Sequence, residues 1–159
     1  MSSIVVGISD LAVSSNPADV IKTFSLGSCI GVCMYDPILH IGGLLHFMLP
    51  LSSTSPDKAK TKPAMFADTG LALLFGELRK KGAVSNRLQV KLAGGAHMLD
   101  QKLHFNIGER NMIAVRKILW KNNILIKASH VGGNIPRTMW IEIATGKVVV
   151  KHSRGEELL

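Results

Sequence analysis

Cys29-Ile30-Gly31-Val32-Cys33-Met34-Tyr35 is closed by Asp36-Pro37, and Ile41-Gly42-Gly43-Leu44-Leu45-His46-Phe47-Met48-Leu49 by Pro50. Each is an apolar run of strand length ended by a residue that leaves a sheet ladder without a donor, so this region reads as β-structure. In the second run His46 shares a face with Leu44 and Met48. Upstream, Ile4 to Ile8 and Val20 to Leu26 read as strands. Alternation in the latter puts Val20, Lys22, Phe24 and Leu26 on one face and Ile21, Thr23 and Ser25 on the other. Gly27-Ser28 breaks the chain before Cys29.

Downstream, Leu51 to Lys62 is rich in Ser, Thr and Lys and is expected to be a mobile loop. A helix follows from Pro63 or Ala64 to Lys81, with Ala67, Leu71, Leu74, Phe75 and Leu78 on one face and Gly82 as its stop. Leu88 to Ala93 is a strand. Asn106 is placed to cap a second helix, Gly108 to Asn122, whose core face is Ala114, Val115, Ile118 and Leu119. Leu125 to Val131 is a strand, and Met139 to Ile143 pairs with Lys147 to His152 around Ala144-Thr145-Gly146. The tail from Ser153 to Leu159 is expected to fray. Eight strands, partly consecutive, and two helices give an α+β class. A single domain over residues 1–159 suits the length.

Apolar residues make up 47% of the 159, enough for a core, yet no run reaches eighteen apolar residues, so no membrane insertion is expected. Met1 to Asp10 lacks the basic flank and apolar core of a secretion signal. Cys29 and Cys33, four positions apart on a strand, lie roughly 13 Å apart, too far for a disulfide. A cytoplasmic location with free thiols follows. The net charge of +8 and pI near 9.8 favour an acidic partner. Lysines and arginines gather at Lys58/Lys60/Lys62, Arg79/Lys80/Lys81 and Arg116/Lys117/Lys121, which also reads as solvated surface. Trp120, Trp140 and Tyr35 fall in no nucleic-acid-binding pattern, so no nucleic acid is expected.

Two residues stand out for chemistry. Cys29 follows a glycine-punctuated turn that exposes a side chain and turns amide N–H groups outward, whereas Cys33, between Val32 and Met34, reads as a small core residue. A thiol with an ordinary pKa of about 8.5 needs help to ionise, and an imidazolium beside it would supply that. His46, seventeen positions on, is the leading partner, a sheet-bound structural histidine being the alternative; His40, His97, His104, His130 and His152 are the others. No C-x-x-C pair occurs and no two histidines lie three or four apart, so no metal site is expected. Neither a phosphate loop nor a dinucleotide fingerprint is present.

The stretches Thr23-Phe24-Ser25-Leu26-Gly27-Ser28-Cys29 and Gly42 to Pro50 resemble the signature segments of the CheD family. So do Phe66-Ala67-Asp68-Thr69, Lys91-Leu92-Ala93-Gly94-Gly95-Ala96, Asn106-Ile107-Gly108-Glu109-Arg110-Asn111 and Gly132-Gly133-Asn134 with Arg137. The chain departs at Phe24-Ser25, where Leu-Gly is common in the family.

The resemblance implies mixed β-sheets packed as a sandwich with helices outside, similar to the deamidating cytotoxic necrotizing factor toxins. It implies a cysteine-dependent amidohydrolase that converts glutamines of methyl-accepting chemotaxis receptors to glutamate, with Cys29 as nucleophile, His46 as base and acid, and Thr23 as the group that orients His46. Gly27 and Ser28 would belong to the oxyanion turn. No cofactor is implied. The expected partners are the receptors' cytoplasmic domain and the CheC phosphatase, the protein itself being monomeric; a binding role with little or no catalysis is the alternative.

Overall fold

The computed structural model of the protein describes residues 2–98 and 106–159. The two apolar runs are adjacent antiparallel strands, β4 (Ile30–Asp36) and β5 (Ile41–Phe47), paired from Ile30↔Phe47 to Asp36↔Ile41. Every residue of both is buried, which is why they read as continuous apolar runs. They are the centre of a sheet ordered β2 (Asp10–Ser14), β5, β4, β6 (Gln89–Gly94), β7 (Ile126–Val131). A second sheet is ordered β1 (Ser2–Val6), β3 (Asp19–Leu26), β8 (Arg137–Glu142), β9 (Val148–His152), β10 (Gly155–Leu158). Both sheets are mixed, because β1–β3 and β6–β7 are parallel and the remaining pairs antiparallel.

The layers follow from the alternation along β4. Ile30, Val32 and Met34 face the helices, where they meet Leu71, Leu74 and Leu78 of α2 (Ala67–Lys80) and Val115 and Leu119 of α3 (Ile107–Lys121). Cys33 and Tyr35 face the other sheet and pack with Ile21, Leu26, Met139, Ile141 and Val150. The α+β sandwich with helices on the outside is the observed architecture.

Some expectations are corrected. Ten strands, not eight, occur among the described residues. The first strand is Ser2–Val6 rather than Ile4 to Ile8, because the chain turns at Gly7 to Ser9, Ser9 having φ 61°, into the unanticipated β2. Instead of a loop, 51–62 forms a 3-10 turn, Ser52–Thr54, and the short helix α1 (Pro56–Thr61), which starts with proline. Asp68 fastens it by accepting from the Ser52 N–H at 3.0 Å and hydroxyl at 2.7 Å. The tail pairs as β10 against β9.

The second helix is not side-chain capped: Asn106 takes φ 41° and its carboxamide turns to Glu109. Leu26 lies inward with Ile21 and Thr23 rather than outward with Lys22, because the β3–β8 register shifts between Thr23 and Leu26 where Ser25 adopts φ 59°. Helix α2 ends as anticipated: Gly82, at φ 103°, donates to the Arg79 carbonyl and Ala83 to that of Leu78.

Candidate active site

Thr23 on β3, His46 on β5 and Cys29 in the bend before β4 reach the space between the sheets. Inward-facing Thr23 on β3 and His46 on β5 are both fully buried. The Thr23 hydroxyl lies 2.7 Å from the Val6 carbonyl and 2.7 Å from His46 Nδ1. A carbonyl only accepts, so the hydroxyl proton goes to Val6 and the hydroxyl oxygen accepts from His46 Nδ1–H. That fixes the tautomer: the Nε2 lone pair is free, and this buried atom has no hydrogen-bond partner among the described residues.

Gly31 is the residue directly opposite His46. Cys29, two positions earlier in the bend that precedes β4, packs on the same inter-sheet side. Gly31 leaves room that Met139 and Leu26 fill: a Cβ there would meet the Met139 sulphur at 2.8 Å. Cys29 is partly exposed, whereas Cys33 is fully buried.

Burial holds His46 down, to a pKa of about 4, and raises the Cys29 thiol, an effect that the cysteine's own backbone N–H opposes. Both shifts come chiefly from burial and favour the uncharged thiol and imidazole over an ion pair.

The turn before Cys29 is held by its neighbours. The Gly95 and Ala96 N–H groups donate to the carbonyls of Cys29 and Gly27, both at 2.9 Å. Gly94, at φ 110°, lies so close that a Cβ would stand 2.2 Å from the Cys29 oxygen, so only glycine fits. Gly27 spends its N–H on the Ser25 carbonyl at 3.0 Å, which removes it from the expected oxyanion donors. The Ser28 N–H donates to no carbonyl or side chain among the described residues, and that of Cys29 only to its own sulphur.

The other histidines lie elsewhere. His40 meets the Tyr35 hydroxyl at 2.7 Å, His97 lines a separate cleft with Arg116, and His104 lies outside the described residues. His130 and His152 stack with centroids 5.0 Å apart, and each has Nε2 2.6 Å from one Glu157 oxygen. These three are a possible ligand cluster that the sequence spacing did not reveal. Their protons oppose that use. Arg137 Nε donates to His130 Nδ1 at 2.8 Å, and the Arg154 N–H donates to His152 Nδ1 at 3.1 Å. Both Nε2 atoms therefore carry hydrogens and donate to Glu157, which ties β10 down. Arg137, which the sequence offered only within the resemblance at Gly132-Gly133-Asn134, donates through Nη2 to the Gly132 carbonyl at 2.7 Å and steadies that turn beside Gly94.

A free imidazole nitrogen and a thiol on one face, with the unspent Ser28 amide beside the thiol, can perform acyl transfer through sulphur, the chemistry of a cysteine amidohydrolase. Comparison with known proteins narrows the class. The sequence profile of the family described as CheD chemotactic sensory transduction matches residues 48–152. The chain is 52% identical to the probable chemoreceptor glutamine deamidase CheD 1 of Syntrophus aciditrophicus, covering 98% of this chain and 97% of that one. It is 46% identical to a protein of the same probable function from Solibacter usitatus, over 100% and 94%. It is 44% identical to the chemoreceptor glutamine deamidase CheD of Thermotoga maritima, over 98% and 95%. This chain belongs to the CheD family. The profile match begins after His46, so the region of Thr23, Cys29 and His46 is covered by the full-length relatives.

Proposed function

We propose that this protein is a chemoreceptor glutamine deamidase, with Cys29 as nucleophile, His46 as proton carrier and Thr23 as the group that orients it. The relatives' names support the activity. The observation that carries the mechanism is the Thr23 hydroxyl, which donates to Val6 and so leaves His46 Nε2 as the free base. Cys29 Sγ attacks the glutamine carboxamide carbon while its proton passes to His46 Nε2. The Ser28 and Cys29 N–H groups receive the oxyanion. His46 returns the proton to the nitrogen, the C–N bond breaks, and ammonia leaves a thioester. Water, giving a proton to His46, then adds to the thioester carbon; the C–S bond breaks, the sulphur regains its proton, and glutamate remains. Splitting the substitution lowers the larger barrier, and no step draws on a cofactor.

The substrate in this reading is the cytoplasmic helical bundle of methyl-accepting receptors, and a protein carrying +8 suits an acidic target. A cytoplasmic, monomeric enzyme follows, with CheC as a further partner where that phosphatase exists. No helix is long and apolar enough to cross a membrane among the described residues. The paired mixed sheets are also the arrangement proposed to be shared with the deamidating necrotizing factor toxins.

The deciding experiment incubates a receptor cytoplasmic fragment with wild type and with Cys29→Ala and reads glutamine-to-glutamate conversion by mass spectrometry. Conversion by wild type alone is expected. Conversion by both removes Cys29 as nucleophile; conversion by neither, with binding intact, favours a binding role.

A further inference from the structure

The geometry points to Asn111 as a positioning residue that aims the Cys29 amide and ties together the two strands of the site. Asn111 is fully buried on the stripe of α3 that carries Met112, Val115 and Leu119. Its Nδ2 donates to the Ser28 carbonyl at 2.9 Å and to the Met48 carbonyl at 2.8 Å. Two carbonyls accept from it, so the amide orientation is set: an oxygen there would face two oxygens. The remaining atom, Oδ1, is buried with no partner among the described residues. An apolar residue would fill this place without the orphaned acceptor.

What the side chain holds explains why that cost is carried. Ser28 O and Cys29 N–H are the two ends of one trans peptide plane and point in opposite directions. Fixing the carbonyl toward α3 therefore fixes the N–H away from it, toward the sulphur, where it lowers the thiol pKa against burial. Met48 follows His46 by two residues just past the end of β5. One carboxamide thus sets both the approach of Cys29 to β5 and the direction of a candidate oxyanion donor. The inference rests on the reading of Cys29 as nucleophile.

The test uses two readouts, one of which needs no receptor. Asn111→Ala and Asn111→Ser are expected to lower kcat by about tenfold to a hundredfold, from loss of alignment and oxyanion support, with KM within about twofold. Alkylation of Cys29 by iodoacetamide, mapped by peptide mass spectrometry across pH, is expected to shift its midpoint upward. Native melting with an unchanged alkylation profile and unchanged kcat would overturn the proposal. The alkylation arm stands even if Cys29→Ala retains deamidation, so the two readings fail separately. If neither variant folds, NMR of the wild type decides: slow exchange of both Asn111 carboxamide protons supports the clamp, and fast exchange overturns it.

Discussion

The two ends of β4 handle buried polar atoms in opposite ways. At the far end, fully buried Asp36 accepts from the N–H groups of Ile38, Leu39 and Val84 and from Arg87, whose Nη2 lies 2.7 Å away. Arg87 and these amides hold its carboxyl well below the usual carboxylate range despite burial. At the near end, among the described residues, His46 Nε2 and Asn111 Oδ1 have no partners and the Ser28 amide is unspent. One strand thus carries a saturated anchor at one end and an unsaturated site at the other. Unpaired buried polar atoms cost stability, and here they gather beside Cys29 and His46.

The sharpest way to break this contrast is to exchange the losses. Cys29→Ala is expected to lower kcat on the order of 10⁴-fold or more while stability changes by less than about 1 kcal/mol, read by ammonia release and urea unfolding. Asp36→Ala should do the reverse. Leaving Arg87 and three amides without their acceptor costs about 3–5 kcal/mol, with kcat per folded molecule unchanged.

Acidity separates the two ends in the same way. The neutral form of His46 is favoured by folding, so its share of stability is lost as pH falls from 6.5 toward about 4. That loss amounts to roughly 3 kcal/mol. Asp36, depressed below 3.8, stays ionised through that window and contributes no change. Urea titrations at pH 6.5 and 4.5 should show the loss in wild type and not in His46→Asn; equal losses would refute it.

Thr23→Val removes the acceptor of His46 Nδ1–H, so kcat should fall about tenfold to a hundredfold, and Thr23→Ser should restore most of it. The smallest effect is Ser25→Gly. Ser25 sits at φ 59°, a backbone conformation that favours glycine. Relief of the left-handed backbone, partly offset by unfolded-chain entropy, is expected to raise stability by about 0.5–1 kcal/mol in thermal unfolding.

Legibility in the sequence tracked burial. β4 and β5 were plain because both of their faces are covered, whereas β2 lies at a sheet edge and β10 is exposed along its length. Polar 51–62 concealed a helix whose start lay in Pro56-Asp57. Cys29 and His46 stood out from turn and run; Thr23 entered only through resemblance, since its partner sits on a strand twenty-three positions away in another sheet. Asn111 left a signal that was passed over: a carboxamide in phase with Val115 and Leu119 on an apolar helix face. Arg137 entered only through the resemblance at Gly132-Gly133-Asn134, because its role depends on turns at Gly94 and Gly132.

The sheet that holds Thr23 has a consequence for how the protein is made. β3 lies between β1, an early neighbour, and β8, which begins at Arg137. The sheet of Cys29 and His46 is complete in chain order by Val131. During synthesis the thiol and imidazole can be laid side by side while β3 still has a bare edge. The hydroxyl that sets the imidazole's tautomer is locked in place only when the last hairpin leaves the ribosome. A nascent chain would carry its thiol and imidazole together well before the hydroxyl that fixes the tautomer is secured.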